Sequence, residues 1–124
     1  MEKPKVGNIL WHDLTVADAE SVSEFYKAVI GWDKEALSMG DYNDYCMKDE
    51  TNETVSGVCH ARSVNAYIPP QWIMYVQVAD LDKSLEACVR LGGKQIGDKR
   101  KMGKEGLYCL VQDPAGAYVM LCGS

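Results

Sequence analysis

Residues 14–29, LTVADAESVSEFYKAV, and residues 76–91, VQVADLDKSLEACVRL, carry the same order of apolar and polar positions and align without a gap at an offset of 62. Each opens with apolar side chains two apart, Leu14 and Val16 in one and Val76 and Val78 in the other, the period of a strand with one buried face. Val-Ala-Asp follows in both. Asp18 and Asp80 are placed to cap a helix, because a carboxylate there accepts from first-turn N–H groups that have no partner in the helix. Glu20 and Asp82 suit the positive end of the helix dipole. The spacing then becomes helical: Val22, Phe25, Tyr26 and Val29 in the first segment, Leu81, Leu85, Cys88 and Leu91 in the second. Both helices are expected to stop at glycine, at Gly31 and at Gly92-Gly93.

Short strand-like pieces follow each helix. In the first half they cover roughly 33–39, 43–48 and 54–60, broken by MGDYN and DETNET. In the second they cover roughly 94–98, 106–112 and 117–122, broken by KRKMGKEG and the turn DPAG. The segment RSVNAYIPP bridges the halves, and Pro69-Pro70 holds an extended chain that does not continue a strand ladder. The reading is an α+β fold, a tandem pair of βαβββ modules at about 8–62 and 71–124 within a single domain. One face of a curved mixed sheet is covered by the helices, and the other is left to form a cup-shaped pocket.

Composition narrows the class. A chain of 124 residues, 47% hydrophobic and 25% charged, suits one globular domain with a real core. A formal net charge of −5 argues against nucleic acid and against an anionic membrane surface as partners. No apolar run approaches the roughly 18–20 residues that span a bilayer, and the start, MEKPKVGN, is polar, without a signal-peptide core. Five cysteines, Cys46, Cys59, Cys88, Cys109 and Cys122, are widely spaced with no Cys-x-x-Cys pair. That suits reduced thiols in a cytoplasmic protein.

The stretches HDLTVADAESVSEFYKAVIGW, WIMYVQVADLDKSLEACVRLGGK and DPAGAYVML resemble the glyoxalase/bleomycin-resistance/extradiol-dioxygenase superfamily, also called vicinal oxygen chelate proteins. The likeness runs over nearly the whole chain. It implies paired βαβββ modules around a pocket, and often a homodimer. Its metal enzymes hold one divalent ion with side chains from both modules, and the resemblance implies a first ligand five residues before the valine of V-x-D. In this chain that position is Trp11, and its counterpart in the second module is Ile73. The last family ligand, seven residues after the aspartate of D-P-x-G, corresponds to Met120. None of these three offers the imidazole or hard oxygen donor that Ni, Zn or Fe needs. The expectation is a protein with no metal and no other cofactor.

Strand parity sorts the remaining candidates. Leu14 and Val16 share a face with His12 and are expected against the first helix, whose apolar stripe includes Phe25 and Val29. Trp11, Asp13 and Thr15 then face the cup. The same parity selects Ile73, Tyr75 and Gln77, and Tyr118 and Met120. The expected ligand-binding set is Trp11, Asp13, Ile73, Tyr75, Tyr118 and Met120, a mostly apolar lining with a few polar handles. Asp13, a carboxylate among aromatic neighbours, needs hydrogen-bond partners, and serves either in structure or in ligand binding and proton transfer. His12, His60 and Cys59 read as structural residues, because neighbours on one strand point to opposite faces and do not converge on a metal. The basic run Lys99, Arg100, Lys101 and Lys104 is expected in a hairpin connection near the pocket. Two functions fit: metal-independent binding of an unidentified small molecule, as in sequestration or resistance, and a lyase or isomerase of glyoxalase type working without the family metal.

Overall fold

The repeated alternation of strand and helix signals appears in the chain as two rounds of the same element order. The computed structural model describes residues 3–124, so the first two residues of the polar start lie outside the described residues. The elements are β1 (Ile9–Val16), α1 (Ala19–Ile30), β2 (Asp33–Ser38), β3 (Asn43–Lys48) and β4 (Thr54–His60), then β5 (Trp72–Gln77), α2 (Leu81–Arg90), β6 (Lys94–Met102), β7 (Gly106–Gln112) and β8 (Tyr118–Gly123). This is an α+β fold of two βαβββ modules with mixed strand pairing. A 3-10 turn, Ser63–Asn65, lies in the bridge between them.

Both helices start where the aspartates stand. Asp18 Oδ1 accepts from the Ser21 N–H at 3.1 Å and Asp80 Oδ1 from the Lys83 N–H at 3.1 Å. The Ser21 backbone and hydroxyl together hold the Asp18 carboxyl below the usual carboxylate value. α1 ends at Gly31, whose φ of 95° is left-handed and whose N–H reaches the Lys27 carbonyl. The DPAG turn is closed by Asp113, whose Oδ1 accepts from the N–H groups of Ala115 (2.8 Å) and Ala117 (3.0 Å).

The chain divides into two compact units, His12–Trp72, and the residues up to Trp11 together with Ile73–Ser124. In the first the strands lie in the order β2-β3-β4-β1, and in the second β5-β8-β7-β6. The pairs β1–β4 and β5–β8 are parallel, and the others within each unit are antiparallel. The core of the first unit is Ala19, Tyr45, Met47 and Val58, with Val16, Val22, Tyr26, Trp32 and Trp72 packed on it. In the second unit Leu81, Leu85, Cys109 and Val111 are covered by Val78, Cys88, Leu107, Val119 and Leu121. Each core is one face of a pleated sheet closed by one helix. Among the described residues no helix is long and apolar enough to cross a membrane.

Two expectations are corrected. Phe25 and Val29 do not bury against β1: they are 56% and 64% exposed. The small residues Ala19 and Ser23, both fully buried, form the line of closest approach instead, flanked by Val22 and Tyr26. Ser23 serves there because its hydroxyl donates to the Glu20 carbonyl at 2.9 Å and accepts from Lys34 Nζ at 3.1 Å. Leu91 likewise caps α2 at 71% exposure rather than joining its buried stripe. The second correction concerns the basic run. Lys99, Arg100 and Lys101 extend β6, with Arg100 beside Tyr108 and Lys101 beside Leu107. β6 ends its sheet order, so one flank is open to solvent, where lysines discourage pairing with another chain.

The corrected helix face makes an expectation that equilibrium denaturation can check. Met47→Ala, at a fully buried position, is expected to cost about 2–5 kcal/mol. Val29→Ala, off the packed face, is expected to cost about 0.5 kcal/mol or less.

Candidate functional site

The pleat of β1 separates packing from chemistry. Leu14 lies beside Val58, which is fully buried, and Val16 packs on the α1-covered core. Asp13 and Thr15, one residue off that parity, turn to the opposite face. There Asp13 lies beside Gly57 of β4, and Gly57 lies beside Cys46 of β3. Thr15 pairs with Cys59 one step along.

Gly57 is required by this arrangement. A Cβ at position 57 would collide with Asp13 Oδ1 and sit 3.4 Å from Asp13 Cγ. The carboxylate therefore occupies the space that a side chain on β4 would fill, as glycine inside a strand permits. Asp44 is 6% exposed, and its Oδ1 accepts from the His60 N–H at 2.8 Å. Burial, with Asp13 and then Asp44 nearby, pushes the Cys59 thiol up, so it is protonated at neutral pH. Burial also raises Cys109, and Cys122 to about 11. None of these three thiols is set up as a thiolate nucleophile. The Asp13 face carries a carboxylate acceptor, the buried Thr15 hydroxyl and the neutral Cys59 thiol: groups suited to orienting a ligand through hydrogen bonds.

The same residues do not fit the divalent ion of the superfamily's metal enzymes. Position 57, opposite Asp13, has no side chain, and Trp11, Ile73 and Met120 stand at the three positions assigned by resemblance. Among the described residues no three of His, Cys, Asp and Glu come together as a metal-binding group. His12 is exposed and shares the α1 side with Leu14 and Val16. His60 ends β4, its Nδ1 2.9 Å from the Asn43 carbonyl oxygen and its ring edge-on to Tyr42.

In the second unit Cys109, Val111, Val119 and Leu121 pack toward α2, which turns Tyr118 and Met120 to the other face of β8. Tyr75 lies beside Met120 in register and Tyr118 beside Gln112. Ile73 and Met120 are 2% and 1% exposed, while Trp11, Tyr75 and Tyr118 are half-buried. Gln77 anchors structure: its backbone exchanges hydrogen bonds with Gly7 and Asn8 at 2.8 and 2.9 Å.

Sequence reasoning missed several residues. Tyr108 stands 6.5 Å from Tyr75, ring to ring. In the first unit Tyr26, Trp32 and Trp72 form an aromatic trio, with Trp72 Nε1–H donating to Tyr26 Oη at 3.1 Å. Gly57 could have been found, since a glycine inside a strand pattern marks a close approach. The trio joins residues 46 apart in sequence, and no local pattern reports such a contact.

The Asp13–Gly57 contact yields a double-mutant test. Gly57→Ala is expected to displace the carboxylate and cost about 1–3 kcal/mol in a denaturant titration. In the Asp13→Ala background the same change is expected to cost distinctly less, since the clashing oxygen is gone.

The model of the glyoxalase-like domain family matches residues 10–122. Two mycobacterial relatives, each named "Putative glyoxylase CFP32", from Mycobacterium bovis and Mycobacterium tuberculosis, are 27% identical over 113 residues. That match takes in 90% of this chain but 43% of theirs, so the chain spans less than half the length of the curated relatives it matches. Among solved structures, a glyoxalase/bleomycin resistance protein/dioxygenase superfamily member from Vibrio splendidus 12B01 is similar at TM-score 0.58 and 11% identity, over 92% of this chain and 97% of that one. Methylmalonyl-CoA epimerase from Mycobacterium tuberculosis is similar at TM-score 0.55 and 16% identity, over 99% and 92%. At such identities the two structures speak for the fold alone. With a family match over nearly its whole length and the paired βαβββ modules in place, the chain belongs to the glyoxalase-like domain family.

Proposed function

We propose that this protein binds a small aromatic or amphipathic molecule without a metal ion, in sequestration rather than turnover, on the sheet face that carries Asp13. The observation that supports this most is the carboxylate of Asp13 seated over the bare backbone of Gly57. A carboxylate so placed orients a donor group on a ligand. In the second unit the face turned from α2 presents Tyr75 and Tyr118, with Ile73 and Met120 buried on the same face. Tyrosines combine apolar area with a hydrogen-bonding tip, which suits an amphipathic ligand. The same proposal takes the protein as a homodimer. Phe25, Val29 and Ile30, exposed toward the end of α1, supply an apolar surface for it.

A thermal-shift screen of small aromatic molecules tests the reading, run with chelator and again with Ni, Zn or Mn added. A ligand at about 100 times its Kd adds roughly 2.7 kcal/mol to native-state stability. Stabilising compounds are expected to act equally with and without chelator, and Asp13→Asn is expected to weaken them or change their pH dependence. Stabilisation seen only with added metal, or indifferent to Asp13, would contradict the proposal.

A further inference from the structure

A pocket lies within the His12–Trp72 unit, on the side that α1 covers. It has a volume of about 430 Å³ and is lined by His12, Trp32, Val55, Ser56 and Trp72. The volume falls within the range of small-molecule sites. Four of its residues lie in strands, and two are tryptophans of the aromatic trio. Trp32 and Trp72 meet edge to face with ring centroids 5.8 Å apart. Trp72 spends its indole N–H on Tyr26, so its ring is held in place while the rest of its surface is apolar. His12 reaches this side because it shares the parity of Leu14 and Val16.

Besides His12, the polar feature of the pocket is Ser56. It is 2% exposed, sits beside the fully buried Met47, and its Oγ is, among the described residues, the buried side-chain polar atom without a hydrogen-bond partner. A hydroxyl left so is costly in a folded protein, because it has given up water and gained nothing. It is also adaptable: it donates or accepts, and rotation about one torsion redirects it. An apolar wall of two tryptophans and a valine, with one unused hydroxyl behind it, is complementary to a flat molecule carrying one hydrogen-bonding group.

We propose that this pocket is a binding site for a small planar aromatic molecule bearing a single hydroxyl, carbonyl or ring nitrogen, held against Trp32 and Trp72 and hydrogen-bonded by Ser56. The site is separate from the Asp13 face, since β1 sends the two sets of side chains to opposite sides.

Two-dimensional NMR titration with 2-naphthol and with naphthalene tests it, the pair differing by one hydroxyl. Saturable shifts are expected in the indole N–H signals of Trp32 and Trp72 and the amide of Ser56, with 2-naphthol binding about tenfold more tightly, the worth of one hydrogen bond. Ser56→Ala is expected to erase that preference while leaving naphthalene binding in place. Because the change removes an unpartnered hydroxyl, the variant is also expected to melt no lower than the parent. Absence of saturable binding, shifts confined to Asp13, Thr15 and Cys59, or a preference that survives in Ser56→Ala would overturn the site. A clear loss of stability in that variant would also overturn it, by showing that the hydroxyl already has a use. Failure here with success at the Asp13 face would leave the proposed function standing.

Discussion

Side chains two residues apart on a strand share a face, and in this protein that alternation ties burial to chemistry. Leu14 and Val16 must meet the core beneath α1, which sends Asp13 and Thr15 the other way. A slip of one residue in β1 would drive the carboxylate under the helix and turn two aliphatic side chains out. The second unit obeys the same constraint: Val119 and Leu121 pack toward α2, so Tyr118 and Met120 turn away. Each module thus spends one face on stability and leaves the other to the groups proposed to contact a ligand.

On the Asp13 face, space is made by omission. Gly57 gives up its side chain so that the Asp13 carboxylate has room, and burial keeps the neighbouring Cys59 thiol neutral. Nearby Asp44 is committed to the His60 backbone. These groups recognise hydrogen bonds; their number and type do not make a ligand shell for a cation. On the core face the exception is Ser56, whose hydroxyl, unlike that of buried Ser23, has no partner among the described residues. That break in an otherwise consistent pattern singles out the pocket beside the tryptophans, since local rules are most often broken where a protein has a use for the breach.

Most of the fold was legible because the chain states its plan twice. The aligned Val-Ala-Asp segments, with Asp18 and Asp80 as caps, identify both helix starts to the residue. The repeated period-2 runs locate β3, β4 and β7. Where the reading slipped, tertiary contacts had overruled local pattern. Phe25 and Val29 look like a buried stripe by spacing and hydrophobicity, yet Ala19 and Ser23 take that place because small side chains let the helix sit close to the sheet. The basic run looks like a loop by composition, yet it pairs with Tyr108 and Leu107 along β6. The site was legible only as parity. Which side of β1 carries Asp13 follows from Leu14 and Val16; that Gly57 lies opposite does not, because register between strands is set by long-range packing. The pairing of Trp32 with Trp72 and the isolation of Ser56 are of the same kind.

The central claim is the proposal that this member of the glyoxalase-like domain family works without a metal, with Trp11, Ile73 and Met120 at the positions where the resemblance implies donors. Elemental analysis of the purified protein, combined with its melting temperature before and after exhaustive chelation, tests this most directly. The account predicts far less than one equivalent of Ni, Zn, Fe or Mn per chain and a melting temperature that chelation leaves unchanged. About one equivalent of a single metal, lost with a fall in melting temperature and restored on adding that metal back, would contradict it.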